Sequence, residues 1–314
     1  MQFPLTLPGN KPFDAVGFGL NAVDHLIVVP KYPDFDTKTR LLAHQLSAGG
    51  QTATAMVSLQ RLGLNTAYAG RFGSDSEGHF GLQTLKDEGV NIDHAEMIEG
   101  ASTQIAFITI EEQSGERTIV WDRDERLAYQ PDEAPADFGS RGRVLHLDAH
   151  DPRACVRVAQ DAKNTGTIVS ADIDNVYEGL PELLPYIDLL LGAKEFPGRV
   201  TGISDGRTAL VELQNRFGSA MTGMTVGDQG VIIYCEGQFL ESPAYPAPGG
   251  CKDTTGAGDA FRGGFLYGLL TGEDIETSMK FGNAVAAMKC SKLGARPGLP
   301  NKEQLEDFLR QATT

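Results

Sequence analysis

The stretch DTTGAGDAF, residues 253–261, contains the residue types needed to bind an anion and to move a proton. Its glycines stand where a helix is predicted to begin, and glycine lets a backbone turn sharply and approach a ligand closely. The first turn of a helix leaves backbone N–H groups unpaired, and the helix dipole adds partial positive charge there. The sequence therefore predicts an anion site without a basic side chain, formed by Gly256, Ala257 and Gly258.

Asp259 belongs to the same predicted first turn, next to the anion site. A carboxylate beside a bound anion is unfavourable for binding alone. It becomes useful if it takes a proton from a hydroxyl group that attacks a phosphoryl group. The simpler alternative is that Asp259 caps an ordinary glycine turn, and so short a motif does not decide between the two.

The segments around this motif predict an α/β fold. From residue 143 onward, β-rich apolar runs alternate with helical patterns, which is typical of a mostly parallel central sheet with helices on both faces. The predicted strands are 13–20, 65–73, 143–150, 167–172, 188–191, 220–226 and 230–235. The predicted helices are 51–63, 76–89, 152–163, 206–216, 258–271, 274–290 and 302–312.

Three early β-rich segments, 25–30, 38–47 and the hairpin 103–122, have no helix directly between their strands. They predict a small β lid beside the main sheet, formed by about 24–47 and 102–123 within a single domain of residues 1–314. Because an open sheet exposes edges and an apolar face, we expect a homodimer that forms through the lid.

The charge and the composition exclude several classes of partner. The chain has 27 Lys and Arg against 42 Asp and Glu, a formal net charge of −15, which argues against binding to nucleic acid or to an anionic membrane. The sequence contains no apolar run of the roughly 18 residues that a membrane helix needs, and its start does not resemble a signal peptide. The four cysteines form no CxxC pair. These features predict a cytoplasmic protein with reduced thiols.

Several motifs, in order along the chain, resemble those of the ribokinase-like (PfkB) carbohydrate kinases. DTTGAGDAF is similar to the second family signature, and GGQTATAMVSLQRLGLNTAYAGRFGSDSEG (49–78) is similar to the first. GLNAVD (19–24), TVGDQG (225–230) and FGNAVAAMKCSKLGARPGLP (281–300) resemble further family segments. The resemblance runs from about residue 14 to 300, and within the family the early segment and SGERTIVWDRD (114–124) look most like ketohexokinases.

The resemblance implies an ATP-dependent kinase that transfers the γ-phosphoryl group to a hydroxymethyl group of a monosaccharide, such as a fructose-like ketose. Asp259 would be the general base, and Gly256, Ala257 and Gly258 would form the anion hole. The implied sugar-binding residues are Asp24, Asp36, Gly49, Gly50, Thr54 and Arg123. The implied ATP-binding residues are Thr225, Gly227, Gly230 and Asn283. Mg²⁺ would bridge the phosphates mostly through water, near Glu195, and Asp253 and Thr255 match a loop where relatives hold a monovalent cation such as K⁺.

Some positions depart from the family pattern and leave alternatives open. Gln51 and Thr54 stand where relatives have Asn, so the sugar is not fixed, since hydrogen bonds in the pocket decide such discrimination. Gly192 replaces the Asn of a magnesium-associated motif, and Gly298 replaces a Ser near the cation loop. A nucleoside kinase of the same family, which would have an apolar or aromatic base pocket in the lid, is one alternative. A sugar and nucleotide sensor without turnover is another.

Structural roles compete with the implied functional roles at several positions. Asp36 could cap a turn with Thr37, Arg123 could form a surface ion pair with Asp122 or Asp124, and Trp121 could be packing rather than a sugar contact. GFGLNA (17–22) partly matches a dinucleotide fingerprint, but strand-like residues follow it where a helix is required. His146 and His150 lack an HExxH context, so no metal pair is predicted there.

Overall fold

The computed structural model describes residues 1–312. Its strands, numbered along the chain, are β1 (Phe13–Phe18), β2 (Ala22–Val29), β3 (Ala43–Gly49), β4 (Thr66–Ala69), β5 (Arg71–Gly73), β6 (Glu96–Ile98), β7 (Ile105–Glu111), β8 (Arg117–Asp122), β9 (Gly142–Leu147), β10 (Ile168–Ile173), β11 (Leu189–Ala193), β12 (Met221–Thr225), β13 (Val231–Cys235) and β14 (Gln238–Ser242). Its α-helices are α1 (Gln51–Arg61), α2 (Ser76–Asp87), α3 (Pro152–Asn164), α4 (Leu180–Leu183), α5 (Phe196–Thr201), α6 (Gly206–Phe217), α7 (Ala257–Thr271), α8 (Ile275–Cys290) and α9 (Lys302–Ala312).

The central sheet has eight strands in the order β14-β13-β12-β11-β10-β9-β1-β4. The six strands from β12 to β4 are parallel, and β13 and β14 form an antiparallel hairpin at one edge. Every residue of β10 is buried, as expected for a parallel strand that is covered on both faces. The predicted α/β class with a mostly parallel sheet is confirmed.

Two apolar clusters cover the two faces of this sheet. One contains Met56 of α1, Phe265 of α7 and Val285 of α8. The other contains Val158 of α3 and Phe196 of α5. Helices therefore pack on both faces, and α1, α7 and α8 share one face with each other.

Helices α7 and α8 pack closely because small residues lie between them. A Cβ atom at Gly264 would lie 2.6 Å from the carbonyl oxygen of Phe281, and one at Gly268 would lie 2.8 Å from the Cα atom of Ser278. The two backbones can approach this closely only where α7 lacks side chains. As a result, the N-terminus of α7 and the middle of α8 line the same cavity.

A second sheet of four strands, in the order β3-β2-β7-β8, forms what we call the lid sheet. Strands β2 and β7 are parallel, and the other two pairings are antiparallel. Strand β3 begins at Ala43, opposite Val28, rather than at residue 38 as predicted. Residues 38–42 lie outside this ladder, and their side chains are exposed.

The hairpin strand β14 was not predicted from the sequence. It follows β13 after the tight turn Glu236-Gly237, in which both residues have positive φ values of 47° and 79°. An acidic residue followed by glycine between two β-rich runs is a recognisable hairpin signal. No helix within residues 1–312 combines the length and the apolar character that crossing a bilayer requires.

Candidate active site

A cavity of about 970 Å³ lies where the central sheet, the lid sheet and the N-terminus of α7 meet. The carboxyl ends of three parallel strands reach it through Asp172, Ala193 and Thr225. Ligands of open α/β sheets bind at this edge. The first turn of α7 lines the cavity from Gly256 to Asp259.

The predicted anion site is a helix N-terminus, with one change in the expected donors. Gly256 has a φ of 75° and precedes the helix, which begins at Ala257. The N–H group of Ala257 donates to the carbonyl of Thr254 at 3.1 Å, so the loop already uses it. The amides of Gly258 and Asp259 belong to the first helical turn, whose N–H groups have no intrahelical acceptor.

Asp259 lies in that first turn and is half-buried at the cavity wall. Burial raises the pKa of its carboxyl group to about 6, Arg262 opposes the rise, and the carboxylates of Asp174 and Asp24 add to it. A carboxylate with this pKa is ionised near neutral pH and is still basic enough to accept a proton.

A buried ion pair between Arg262 and Asp172 supports the catalytic end of the cavity, and the sequence analysis did not identify it. Arg262 Nη2 lies 2.8 Å from Asp172 Oδ1, and Nη1 donates to the carbonyl of Gly258 at 3.3 Å and to Thr225 Oγ1 at 3.4 Å. Burial raises the pKa of Asp172 to about 7 against the effect of Arg262. One signal was present: Arg262 stands three residues after Asp259, on the same face of the helix.

Polar atoms of this end of the cavity are left without partners. Among the described residues, the Nε atom of Arg262 and the hydroxyl of Thr255 are buried and make no hydrogen bond. Both residues line the cavity. Buried polar groups are normally satisfied, so these two unpaired atoms are unusual, although neither atom is itself open to solvent.

The lid sheet supplies the opposite wall of the cavity. In its register, Asp24 of β2 stands beside Ala106 of β7, which stands beside Trp121 of β8. These three residues therefore point to the same face of the sheet, and all three line the cavity. Asp24 is 5% exposed, and burial raises the pKa of its carboxyl group to about 7, although Arg296 lowers it.

Aromatic side chains surround this part of the cavity. His150 Nε2 lies 3.0 Å from the hydroxyl of Tyr177, and the rings of His150 and Trp121 meet edge to face with 6.4 Å between their centroids. All three residues line the cavity. His146, the other histidine of this segment, has its Nδ1 atom 3.3 Å from the hydroxyl of Ser170.

The two glycines before α1 differ in their surroundings. A Cβ atom at Gly49 would collide with the Asp24 carboxylate, and Gly50 has a φ of 89° at the start of α1. Gly49 therefore makes room for Asp24 rather than for a ligand. Gly50 lines the cavity, and Gly49 does not.

The structure leaves three other predicted sugar-binding residues outside the cavity. Asp36 lies in an exposed turn. Thr54 is fully buried in α1, 3.5 Å from Arg296 Nε. Arg123 forms a two-bond ion pair with Asp151, at 2.8 and 3.0 Å, and not with Asp122 or Asp124. Arg123 anchors the end of β8, so its side chain is used by the fold itself.

Arg117 is the arginine that reaches the cavity from the lid. It lies at the start of β8, lines the cavity, and its Nη1 donates to the hydroxyl of Thr254. The lid sheet therefore contacts the loop that leads into the N-terminus of α7. The sequence placed this role on Arg123 because its neighbours matched a family pattern, whereas strand alternation gives Arg117, Ile119 and Trp121 the inward face.

The four residues that were predicted to bind ATP lie at the wall of the same cavity. Thr225, Gly227, Gly230 and Asn283 all line it. Asn283 Nδ2 donates to the carbonyls of Ser242 and Pro243 at 3.1 and 3.0 Å. Asn283 therefore fixes the end of β14 and the start of the segment that follows it. Ala286 and Ala287 of α8 and the segment 244–247 also line the cavity, and the sequence analysis missed this segment.

The predicted magnesium residue does not line the cavity. Glu195 is exposed before α5, and Gly192 is required because a Cβ atom there would lie 2.5 Å from the Phe196 ring. Within residues 1–312, no group of three or more His, Cys, Asp and Glu side chains could hold a metal ion. Mg²⁺ can still fit here if the nucleotide phosphates and water supply most of its ligands, as this ion prefers.

The predicted monovalent-cation loop contains a lysine ammonium group instead. Asp253 is fully buried, and its carboxylate accepts the N–H groups of Thr255 and Gly294, both at 2.8 Å. Lys289 is also fully buried, and its Nζ atom donates to the Asp253 carbonyl at 2.7 Å and lies 3.8 Å from Oδ2. The surroundings of Asp253 therefore do not fit a bound alkali ion.

The family model described as pfkB family carbohydrate kinase matches residues 16–302. The chain belongs to the pfkB family of carbohydrate kinases. It is 26% identical to a nucleoside kinase of Methanothermobacter thermautotrophicus, over 95% of this chain and 96% of that protein. It is also 26% identical to a ketohexokinase of Mus musculus, over 88% and 95% of the two chains.

Among solved structures, a putative ribokinase from Agrobacterium tumefaciens superposes with a TM-score of 0.85 and 24% identity, covering 97% of this chain and 99% of that one. At this identity the likeness shows the fold alone. The family prediction, the kinase activity and the ribokinase-like architecture are confirmed. This pfkB kinase is an enzyme of the sugar and nucleoside kinase group.

Proposed function

We propose that this pfkB kinase transfers the γ-phosphoryl group of ATP to a hydroxymethyl group of a sugar-containing acceptor. One observation carries the proposal: Asp259, the first-turn amides of α7 and the Asp24 carboxylate line one cavity. Asp259 would accept the proton of the attacking hydroxyl group. The amides of Gly258 and Asp259 would stabilise the charge on the transferred phosphoryl group.

ATP would bind at the end of the cavity formed by α8 and the segment 244–247. The small side chains of Ala286 and Ala287 leave room for a flat base, and Thr225, Gly227 and Gly230 line the same cavity. Mg²⁺ would neutralise the phosphate oxygens, and the side chains of Arg262 and Thr255 line the same cavity. Arg117 adds positive charge from the lid sheet.

The acceptor would bind between Asp24 and Asp259. A carboxylate can accept hydrogen bonds from two neighbouring hydroxyl groups, as a sugar offers. Such bonds favour the ionised form of Asp24 and so lower its raised pKa. A fructose-like monosaccharide would satisfy Asp24 but would leave the aromatic wall with little to pack against.

A nucleoside is the second candidate acceptor, and the aromatic wall favours it. Trp121, His150 and Tyr177 are close enough to one another to form one surface. A nucleobase stacks well on such a surface, while the ribose hydroxyl groups could reach Asp24. The similarity to a nucleoside kinase agrees with this alternative, and the equal identity to a ketohexokinase supports the first one.

An ADP-release screen would decide between the two acceptors. The purified protein is incubated with Mg²⁺-ATP and a panel of ketoses, aldoses and nucleosides, and the phosphorylated product is identified by mass spectrometry. A Trp121→Ala variant should raise KM for a nucleoside about tenfold or more but change KM for a free ketose far less. If no acceptor is phosphorylated while ATP and a sugar still bind, the sensor alternative would be correct.

We also propose that the chain folds as a single domain, that the enzyme is cytoplasmic, and that it forms a homodimer. In this dimer, two copies would associate through the outer face of the lid sheet. Side chains alternate between the two faces of a strand, so His25, which follows Asp24 in β2, points to the outer face. Its neighbours in register on the other strands are Leu46, Phe107 and Val120. Phe107 is 46% exposed and Val120 is 66% exposed, although both are apolar. Light scattering should give twice the chain mass of 33.7 kDa, and Val120→Lys should reduce it to one chain.

A further inference from the structure

A buried lysine, Lys289, lies against the loop that leads into the anion site. Lys289 and Asp253 are both 0% exposed, and they lie on two different segments of the chain. Charged side chains are almost never fully buried unless they are paired. A fully buried pair next to a functional loop needs an explanation, because apolar residues of similar volume would often be at least as stable.

The position of the ammonium group gives that explanation. Lys289 Nζ binds the main-chain carbonyl of Asp253 at 2.7 Å and lies 3.8 Å from its carboxylate. The same carboxylate holds the N–H groups of Thr255 and Gly294. Residue 255 directly precedes Gly256, where α7 and the anion site begin. Lys289 therefore neutralises the carboxylate that fixes the shape of the anion-site loop.

We propose that Lys289 is a positioning residue that takes the place of a dissociable monovalent cation beneath the anion site. Its ammonium group carries one positive charge and donates hydrogen bonds to oxygen atoms that a potassium ion would otherwise coordinate, but it is attached to α8. The N-terminus of α7 is then held in its binding geometry whatever the ionic composition of the solution. This enzyme should need no alkali ion for phosphoryl transfer.

Other charged groups near the pair do not supply this charge equally well. Arg117 is exposed to solvent and donates to the Thr254 hydroxyl from the lid sheet, so its charge is screened by water and salt. Burial lowers the pKa of Lys289, and the neighbouring Asp253 carboxylate counteracts this effect. Lys289, in contrast, is buried and belongs to α8, a helix whose residues Asn283, Ala286 and Ala287 line the cavity.

The first test uses the wild-type enzyme. Its turnover and its melting temperature are measured in KCl and in tetramethylammonium chloride, each at about 0.1 M. At this equal ionic strength the two salts screen surface charges to the same extent. We expect less than a twofold difference in turnover and no difference in melting temperature. Activation by K⁺ of fivefold or more would overturn the proposal, and this comparison depends on no variant.

The second test removes the ammonium group. Lys289→Ala leaves Asp253 facing an open space and should lose turnover at least tenfold in tetramethylammonium, with recovery in K⁺ or NH₄⁺. Lys289→Met fills the space without a charge and should not recover. Lys280→Ala, an exposed lysine on the same helix, is the matched control. Full activity of Lys289→Ala in tetramethylammonium, or a folded variant that neither ion restores, would contradict the proposal.

The kinetic part of this test rests on the proposed function, but the thermal part does not. K⁺ should raise the melting temperature of Lys289→Ala and leave that of the wild type and of Lys289→Met unchanged. If no acceptor is found for the enzyme, this thermal pattern can still be observed. Failure of the acceptor assignment and failure of the cation assignment are therefore distinguishable.

Discussion

Two regions of the cavity, its catalytic end and its acceptor end, are assembled in different ways. The catalytic end comes from a continuous segment, residues 253–262, in which a loop leads directly into α7. The acceptor end combines strands β2, β7 and β8 with His150 and Tyr177 from separate loops. Main-chain groups dominate the first region, and side chains brought together over long sequence distances dominate the second. A local motif therefore specifies the chemistry, whereas the acceptor depends on how the lid sheet packs.

Asp259→Asn should break the catalytic end without disturbing the acceptor end. Removing the proton acceptor should lower kcat by about 10²- to 10⁴-fold, the usual contribution of a general base. The isosteric amide keeps the shape of the first turn, so ATP affinity and the melting temperature should stay close to those of the wild type. Isothermal titration and a coupled ADP assay measure the two effects. Glu273→Gln, exposed beyond the end of α7, is the control, and turnover of Asp259→Asn within tenfold of wild type would refute the assignment.

The same contrast explains what could be predicted from the sequence. The glycine turn, Asp259 and the strand–helix alternation follow from local backbone rules, so the fold class and the N-terminus of α7 were correct. The pairing of Arg123 with Asp151, across 28 residues of sequence, is not a local property. Neither is the use of Gly49 to make room for Asp24. The Lys289–Asp253 pair escaped prediction because a lysine in a helical pattern reads as exposed.

Arg262→Gln should weaken the support of the catalytic end. This substitution leaves Asp172 as a buried carboxylate without its partner. The free energy of unfolding should fall by about 3 kcal/mol, which is the low end of the range for a broken buried ion pair, because Asp172 can take up a proton. Arg262 also lowers the pKa of Asp259, so the acidic limb of the pH–rate profile should move to higher pH. Urea unfolding and pH–rate profiles measure the two effects.

The double variant Arg262→Gln with Asp172→Asn is the control for this interpretation. It removes both charges, so it should recover most of the lost stability. If the double variant is as unstable as Arg262→Gln alone, the loss comes from packing of the guanidinium group and not from the uncompensated carboxylate.

Asp24→Asn and Asp36→Asn sharpen the contrast within the lid region. Both aspartates were predicted to bind sugar, but only Asp24 lines the cavity. Asp24→Asn should raise KM for the acceptor by a factor that corresponds to about 1.5–3 kcal/mol, the value of hydrogen bonds to a charged group. Asp36 has a φ of 58°, a backbone conformation that Asn tolerates. Because Asp36 does not line the cavity, Asp36→Asn should change KM for the acceptor less than twofold. A large effect of Asp36→Asn would mean that the lid closes over the acceptor and brings this turn with it.

The pH dependence of the reaction should separate the two carboxylates, with smaller effects than the substitutions. Both pKa values are raised, to about 6 for Asp259 and about 7 for Asp24, and both groups act in the ionised form, so activity falls as the pH drops. kcat should decline as the pH falls below about 6, because only the ionised fraction of Asp259 accepts the proton. KM for the acceptor should begin to rise already below pH 7, because free enzyme with a protonated Asp24 cannot accept its hydroxyl groups. In Asp24→Asn the KM limb should disappear and the kcat limb should remain. If both limbs persist in that variant, Asp24 does not contact the acceptor, and the acceptor end must be built around other residues of the lid sheet.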